Sequence, residues 1–192
     1  KISGAESRCQ ITGGAVVIDG TAYTAKSYFN TLTLTDITLP VKSKGVEVRG
    51  TVTSYGSDSE NVTVQLIETG HTEPAYEVIV SGNSATYSFP TVPAGTYTLK
   101  VMKKGHAPWT EEITVGSTAI AKDVTVYLWG DVNRDGKVNS TDALWVRQSS
   151  AGGRVLDAYQ KILADLNRDG KVNSTDALWI RQISAGSRTL TY

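Results

Sequence analysis

The sequence predicts a two-part fold: an antiparallel β-sandwich over residues 46–128, then a small all-α module over 129–192 built from two loop–helix repeats. Three observations predict it. Seven short segments between Val46 and Leu128 alternate apolar and polar residues. An 18-residue block, Asp131 to Gln148, recurs as Asp165 to Gln182. Between these regions, at Leu128-Trp129-Gly130, composition turns from Thr, Val and Tyr to Asp, Asn and Gly.

The predicted strands are Val46–Thr53, Val62–Ile67, Tyr76–Val80, Ala85–Phe89, Tyr97–Val101, Glu112–Val115 and Val124–Leu128. Turn signals separate them at Tyr55–Asp58, Ser81–Asn83, Val92–Gly95 and Lys104-Gly105. Apolar side chains at every second position face one side of a sheet, so two such sheets bury them face to face in an immunoglobulin-like sandwich. Residues 1–45 are less decided. Ala15–Ile18 and Thr31–Leu39 read as strands, and Pro40 with Lys42-Ser43-Lys44 reads as a linker. The segment is either the tail of an upstream domain or extra strands for the sandwich. The opening Lys1-Ile2-Ser3-Gly4 carries no leader pattern and reads as a cut inside a longer protein.

The repeat is the strongest feature. Its copies lie 34 residues apart and differ only at Val132/Leu166 and Val146/Ile180. A weaker echo continues through Ser150–Arg154 and Ser184–Arg188. Within the first copy, Asp131, Asn133, Asp135, Lys137, Asn139 and Asp142 occupy positions 1, 3, 5, 7, 9 and 12 of an EF-hand-like loop, with Gly136 at position 6. The second copy sets Asp165, Asn167, Asp169, Lys171, Asn173 and Asp176 around Gly170. Calcium prefers six to eight oxygen ligands at about 2.3–2.6 Å, and a coiled loop points its odd positions inward. Position 7 offers only its backbone carbonyl, which tolerates Lys. The sequence therefore predicts two bound calcium ions. Each loop crowds three carboxylates, so folding of this part is expected to depend on the metal.

Asp, not the longer Glu, stands at position 12, and the reading places no helix before either loop. Such loop–helix units lack the paired helices that re-angle in a calcium sensor, which favours a structural ion. Ser140 and Ser174 read as N-caps, of helices Ser140–Ala151 and Ser174–Ala185. Val155–Ala164 has the spacing of a third, short helix.

Gly130 to Asp142, repeated with a helix between, closely resembles type I-like dockerins, over about 60 residues. The resemblance implies an extracellular bacterial plug that binds a cohesin module of a scaffoldin or cell-surface protein in a calcium-dependent way, as in cellulosome-type polysaccharide-degrading assemblies. It implies a partner face of Ser140, Thr141, Arg147 and Gln148, with Ser174, Thr175, Arg181 and Gln182 in the second copy. Thr141, Leu144, Trp145 and Gln148 share one helix face, as do Thr175, Leu178, Trp179 and Gln182. Trp and Arg dominate protein interfaces, although Trp145 and Trp179 fit a core role equally. Near-identity of the copies implies two binding orientations related by a half-turn. Trp129 and Tyr192 flank the module and are placed to clasp its ends; the alternative for Tyr192 is a frayed terminus. Phe89–Val101 with Lys104-Gly105-His106 is similar to carboxypeptidase-regulatory-like or Cna-B-like sandwiches, an X-module-like spacer or stabiliser. Arg49 stands where the isopeptide chemistry of such sandwiches needs a lysine, so no such bond is expected.

Other classes find less support. Lys+Arg and Asp+Glu balance at 19 each, with no basic stripe for nucleic acid. No apolar run approaches a membrane span. Cys9 stands alone, so no internal disulfide is available; it reads as a small buried or frayed residue. His71 and His106 fall at predicted turns outside any metal or triad spacing and read as exposed loop residues, so no enzyme is expected in this chain. Two rivals remain. Tyr55, Tyr76, Tyr87, Trp109 and Tyr127 either form a sugar platform or serve as core, which makes carbohydrate an indirect partner at most. The other rival is an appendage of a catalytic domain upstream of residue 1.

Overall fold

The computed structural model describes residues 45–56 and 60–190 in full and, before them, the backbone of five short strands. The chain divides into two units, 1–41 and 42–192. In the first, β1 (Cys9–Thr12), β2 (Ala15–Ile18) and β3 (Thr21–Thr24) form an antiparallel meander, and β4 (Ser27–Tyr28) pairs with β5 (Thr31–Leu32). The strand expected at Ala15–Ile18 is present. That expected at Thr31–Leu39 is described only at its first two residues; the linker expected at Pro40 and 42–44, and Tyr192, lie outside the described residues.

In the second unit, two sheets face each other. One has the order β11 (Trp109–Val115), β10 (Gly95–Lys103), β7 (Asn61–Glu68), β8 (Tyr76–Ser81), antiparallel throughout. The other is centred on β6 (Val46–Thr53), with β9 (Ser84–Val92) antiparallel on one side. On its other side run β12 (Ile120–Ala121) and β13 (Val124–Thr125), both parallel to β6. The sequence expected an antiparallel strand over Val124–Leu128 and missed β12. Alternation does what period two demands: Val62, Val64 and Leu66 face Val48, Val52, Tyr87 and Phe89 across a closed core with Leu99 and Val101. Burying each such side chain contributes roughly 1.5–3 kcal/mol.

The inward row of β10 ends in a charge. Lys103 is only 4 % exposed, and its Nζ donates to Ser54 Oγ (2.9 Å) and Asn83 Oδ1 (2.8 Å) at the rim of the sandwich. Arg49 pairs instead with Glu47 on the surface.

Beyond β13 the chain stays tied to the sandwich. Val126 N–H donates to Thr53 O, Tyr127 O accepts Ala107 N–H, and Trp129 N–H donates to Gly105 O. Three helices follow: α1 (Ser140–Ser150), α2 (Ala158–Ala164) and α3 (Ser174–Ser184). They enclose a second core of Val132, Val146, Leu156, Leu163, Leu166 and Ile180, to which the sandwich contributes Ala107. The two positions at which the repeats differ, Val132/Leu166 and Val146/Ile180, all lie in this core. The surface of the repeat is duplicated, and its packing is not.

Three expectations need correction. The N-caps are Asn139 and Asn173, one residue before the serines: each is extended, and its Oδ1 accepts the N–H of Thr141 or Thr175 at 2.7 Å. The second loop is preceded by a helix, since Asp165 is the C-cap of α2. And His106 is no exposed loop residue. It is 5 % exposed, with its ring nitrogens 2.9 Å from Lys104 O and 2.8 Å from Tyr55 O. Burial holds its pKa below the usual histidine value, against the pull of those two carbonyls. His71 is exposed, as expected.

Candidate metal centres and partner face

Each repeat folds into a loop that its own carboxylates organise. In the first, Asp131 is fully buried. Its Oδ1 accepts Asp135 N–H (3.1 Å) and its Oδ2 accepts Gly136 N–H (2.9 Å). Asn133 Oδ1 also accepts Asp135 N–H (3.1 Å), and Asp135 Oδ1 accepts Lys137 N–H (2.9 Å). Asp142 closes the loop from the first turn of α1. Its Oδ1 takes the N–H groups of Val132 (2.9 Å) and Asn133 (3.0 Å), and its Oδ2 takes that of Asn139 (2.8 Å). The second loop repeats the scheme with Asp165, Asn167, Asp169 and Asp176. The turn itself requires positive φ at position 6, +83° at Gly136 and +80° at Gly170, and at position 4, +62° at Arg134 and +58° at Arg168. Those two arginines are the only non-glycine residues with positive φ among the described residues. A left-handed residue with a Cβ costs about 1–3 kcal/mol, so the conformation is one the surroundings impose.

The fit to a hard cation rests on what the loops do to their acids. Burial pushes the Asp131 carboxyl up to about 6, against the lowering pull of Gly136 N–H; the charge of Asp142 adds to the rise. Asp142 and Asp176 are likewise raised by burial. A carboxylate dehydrated in this way is costly as a bare anion, and a cation at the centre offsets that cost. Among the described residues, no three His, Cys, Asp or Glu side chains gather as a metal cage. The side chains that organise the loops are Asp carboxylates and Asn amides, an all-oxygen set that suits calcium and not a thiolate- or imidazole-seeking metal.

A calcium ion in the first loop would compete with protons for Asp131. Its folded pKa lies above the ordinary 3.8, so without metal this group favours the folded state at low pH. That contribution is lost as pH rises through about 6. A bound ion needs the carboxylate, so calcium affinity at the first loop is expected to fall about tenfold per pH unit below pH 6. Isothermal titration at pH 7, 6 and 5 checks this, and a pH-independent affinity contradicts it.

The residues assigned to the partner face separate into two sets. Ser140, Thr141, Leu144 and Arg147 are exposed, as are Ser174, Thr175, Leu178 and Arg181. Leu144 and Leu178 are 50 % and 53 % exposed, at matching positions of the two repeat helices. Trp145, Gln148, Trp179 and Gln182 are half-buried, and the two tryptophans pack against the core. Two residues the sequence reading passed over complete this arrangement. Arg154 stacks on Trp145 at 3.6 Å and donates from Nε to Gln148 Oε1 (2.9 Å). Arg188 does the same to Trp179 (3.7 Å) and Gln182 (2.7 Å). The echo of Arg154 in Arg188 was the signal for them.

The aromatic residues considered as a sugar platform are engaged in packing. Tyr87 is buried, Tyr76 and Trp109 pack on the sandwich core, and Tyr55 stacks on Tyr127 at 5.4 Å.

A β-sandwich that carries a small helical module with two duplicated, oxygen-lined loops is the class these features define. Residues 129–183 match the family model of the dockerin type I domain. Residues 43–127 match that of the second β-sandwich domain of BOS complex subunit NOMO1-like proteins. The chain thus carries a dockerin type I domain directly behind a β-sandwich, and dockerin type I domains bind calcium. No curated protein matches. Among solved structures, the chain is similar to an N-terminal interface mutant of the type II cohesin–X-dockerin complex from Acetivibrio cellulolyticus. Identity there is 24 %, over 71 % of this chain and 93 % of the other, with a TM-score of 0.32. A C-terminal interface mutant of the same complex gives 25 % identity, the same coverage and a TM-score of 0.31. Among the described residues, no helix is long and apolar enough to cross a membrane.

Proposed function

We propose that residues 129–192 are a calcium-dependent plug for a cohesin on a scaffoldin or cell-surface protein, and that residues 46–128 are its spacer and stabiliser. One calcium ion sits in each loop, held by Asp131, Asn133, Asp135, the Lys137 carbonyl, Asn139 and Asp142, or by their counterparts from Asp165 to Asp176. The protein is secreted and fastens whatever it is joined to into a polysaccharide-degrading assembly. The observation that carries this reading is the pair of exposed leucines, Leu144 and Leu178. Each is bordered by exposed Ser, Thr and Arg and set on a helix that starts from a metal-type loop. The ion fixes the first turn of each helix, and the helix presents the face. No group on this face is arranged for bond-making chemistry.

The test is calorimetric titration of the chain against a panel of bacterial cohesins, first with calcium and then with chelator. Tight binding that disappears in chelator supports the reading. Calcium-loaded, folded protein that binds no cohesin overturns it. The duplicated face adds a quantitative expectation. If each face docks in its own orientation, Leu144→Asp or Leu178→Asp alone weakens binding only about twofold, because the other orientation survives. The double variant loses both and weakens binding by about 30-fold or more, the effect of removing a centre worth ~2 kcal/mol. Loss of all binding from Ser174/Thr175 substitution, with none from Ser140/Thr141 substitution, would refute the paired orientations.

A further inference from the structure

The two loops carry the same ligands in the same order, so any difference between them as ion sites must come from what packs around them. We infer that the β-sandwich braces the turn of the first loop through Tyr55, a contact the second turn lacks, so the Asp131 loop is the tight, slowly exchanging calcium site and the Asp165 loop the labile one. This rests on the calcium reading above.

The brace is built from named contacts. Tyr55, just past the end of β6, lies against the turn of the first loop. A Cβ on Gly136 would come within 2.6 Å of Tyr55 Cδ1, whereas one on Gly170 meets nothing within 4 Å. Tyr55 is itself fixed. Its ring stacks on Tyr127, its N–H donates to His106 Nε2 (3.3 Å), and that same nitrogen lies 2.8 Å from its carbonyl. At position 4, Arg134 is half-buried and lies over the rings of Tyr127 (5.9 Å) and Tyr159 (5.5 Å), with Nη2 donating to Asp157 Oδ1 at 2.6 Å. Tyr159 in turn donates to Ala107 O of the sandwich at 2.9 Å. The counterpart of Arg134, Arg168, is exposed and lies over Trp129 at 5.0 Å. Asp131 is fully buried and Asp165 only half-buried.

A loop already held in its bound shape loses less conformational freedom when the ion arrives, and that difference appears as affinity. Tyr55 also covers one side of the first turn against water, which slows the escape of an ion. The turn of the second loop has no such cover: a Cβ on Gly170 would meet nothing within 4 Å, and the residue is exposed.

The experiment is a calcium titration of the full chain with a competing chelator, following the backbone amide resonances of Gly136 and Gly170. Gly136 is expected to reach its bound position at about tenfold lower free calcium than Gly170 and to release last. In Tyr55→Ala the gap closes to within about twofold because the Gly136 transition moves and the Gly170 transition does not. Unchanged amide positions for Val64 and Leu99 verify that the sandwich remains folded. If that variant does not fold, Asp157→Asn serves: it retains an N-cap for α2 while weakening the hold on Arg134, and it should close part of the gap. Coincident titration of the two glycines, earlier filling of Gly170, or equal shifts of both in the variants would overturn the inference. Absence of any calcium-dependent shift at either glycine would instead defeat the calcium reading beneath it.

Discussion

Withdrawal of calcium is expected to destabilise residues 129–190 strongly, without unfolding them at room temperature, while the stability of the sandwich is unchanged. Each loop carries three aspartates, and Asp131, Asp142 and Asp176 are fully buried, with carboxyls that burial has already pushed upward. Without the cation those charges repel inside a module of about 60 residues, whose whole stability by the usual per-residue range is roughly 3–9 kcal/mol. An ion at a hundredfold excess over its dissociation constant contributes about 2.7 kcal/mol per site, so two sites contribute about 5. Removing both takes away most of what holds the helices. Far-UV circular dichroism during a thermal scan should show the helical transition moving to markedly lower temperature in chelator while the β transition stays in place. Asp131→Ala combined with Asp165→Ala should behave in calcium as the native chain does in chelator. A helical transition indifferent to chelator would show that packing of Val146, Leu163 and Ile180 suffices alone.

The loops were legible because their chemistry is local. Positions 1 to 12 of an oxygen-lined turn are fixed by spacing, and the hydrogen bonds from Gly136 N–H to Asp131 and from Val132 N–H to Asp142 span ten residues or fewer. The strands were legible by alternation. Partnership across the chain was not. β12 is two residues long and takes its place from a parallel neighbour some 70 residues earlier, so no periodicity announces it. His106 sits between Gly105 and Pro108, which signal a turn; its burial comes from Tyr55, 51 residues away. The cap was misplaced by one residue because Ser and Asn are both good caps, and Asn139 had been read only as a ligand. The different surroundings of the two loops come from none of their oxygen-bearing positions but from Tyr55, Tyr127 and Tyr159.

The second large effect is expected at Gly50, in the middle of β6 and far from the loops. Replacing glycine by alanine in an extended conformation usually stabilises slightly, by roughly 0.4–1 kcal/mol, because it restricts the unfolded chain. Here the sign reverses. A Cβ at this position would overlap the carbonyl oxygen of Lys122 outright, and it would lie 2.6 Å from the Lys122 carbonyl carbon and 3.0 Å from the Tyr87 ring. These are not the yielding ends of side chains. Lys122 is held by its N–H to Arg49 O (2.8 Å) and by Tyr87 Oη donating to its carbonyl (2.7 Å). Asp123 Oδ1 takes Thr51 N–H (2.8 Å) where the parallel ladder is interrupted. To admit a methyl group, the 120–125 stretch must leave β6. That gives up several hydrogen bonds at about 0.5–1.5 kcal/mol each and adds overpacking strain of about 1–3 kcal/mol. A net loss of roughly 3–5 kcal/mol would lower the sandwich transition by roughly 10–40 °C. Gly116→Ala is the control, since a Cβ there meets nothing within 4 Å and the residue needs no positive φ. Its effect should stay within about 0.5 kcal/mol. The same stretch leads through Val126 and Tyr127 into the dockerin domain, so Gly50→Ala should also loosen Tyr127 from Tyr55 and move the Gly136 amide. If urea denaturation finds the two glycine variants alike, the close approach of Lys122 to Gly50 is not a feature of the folded protein.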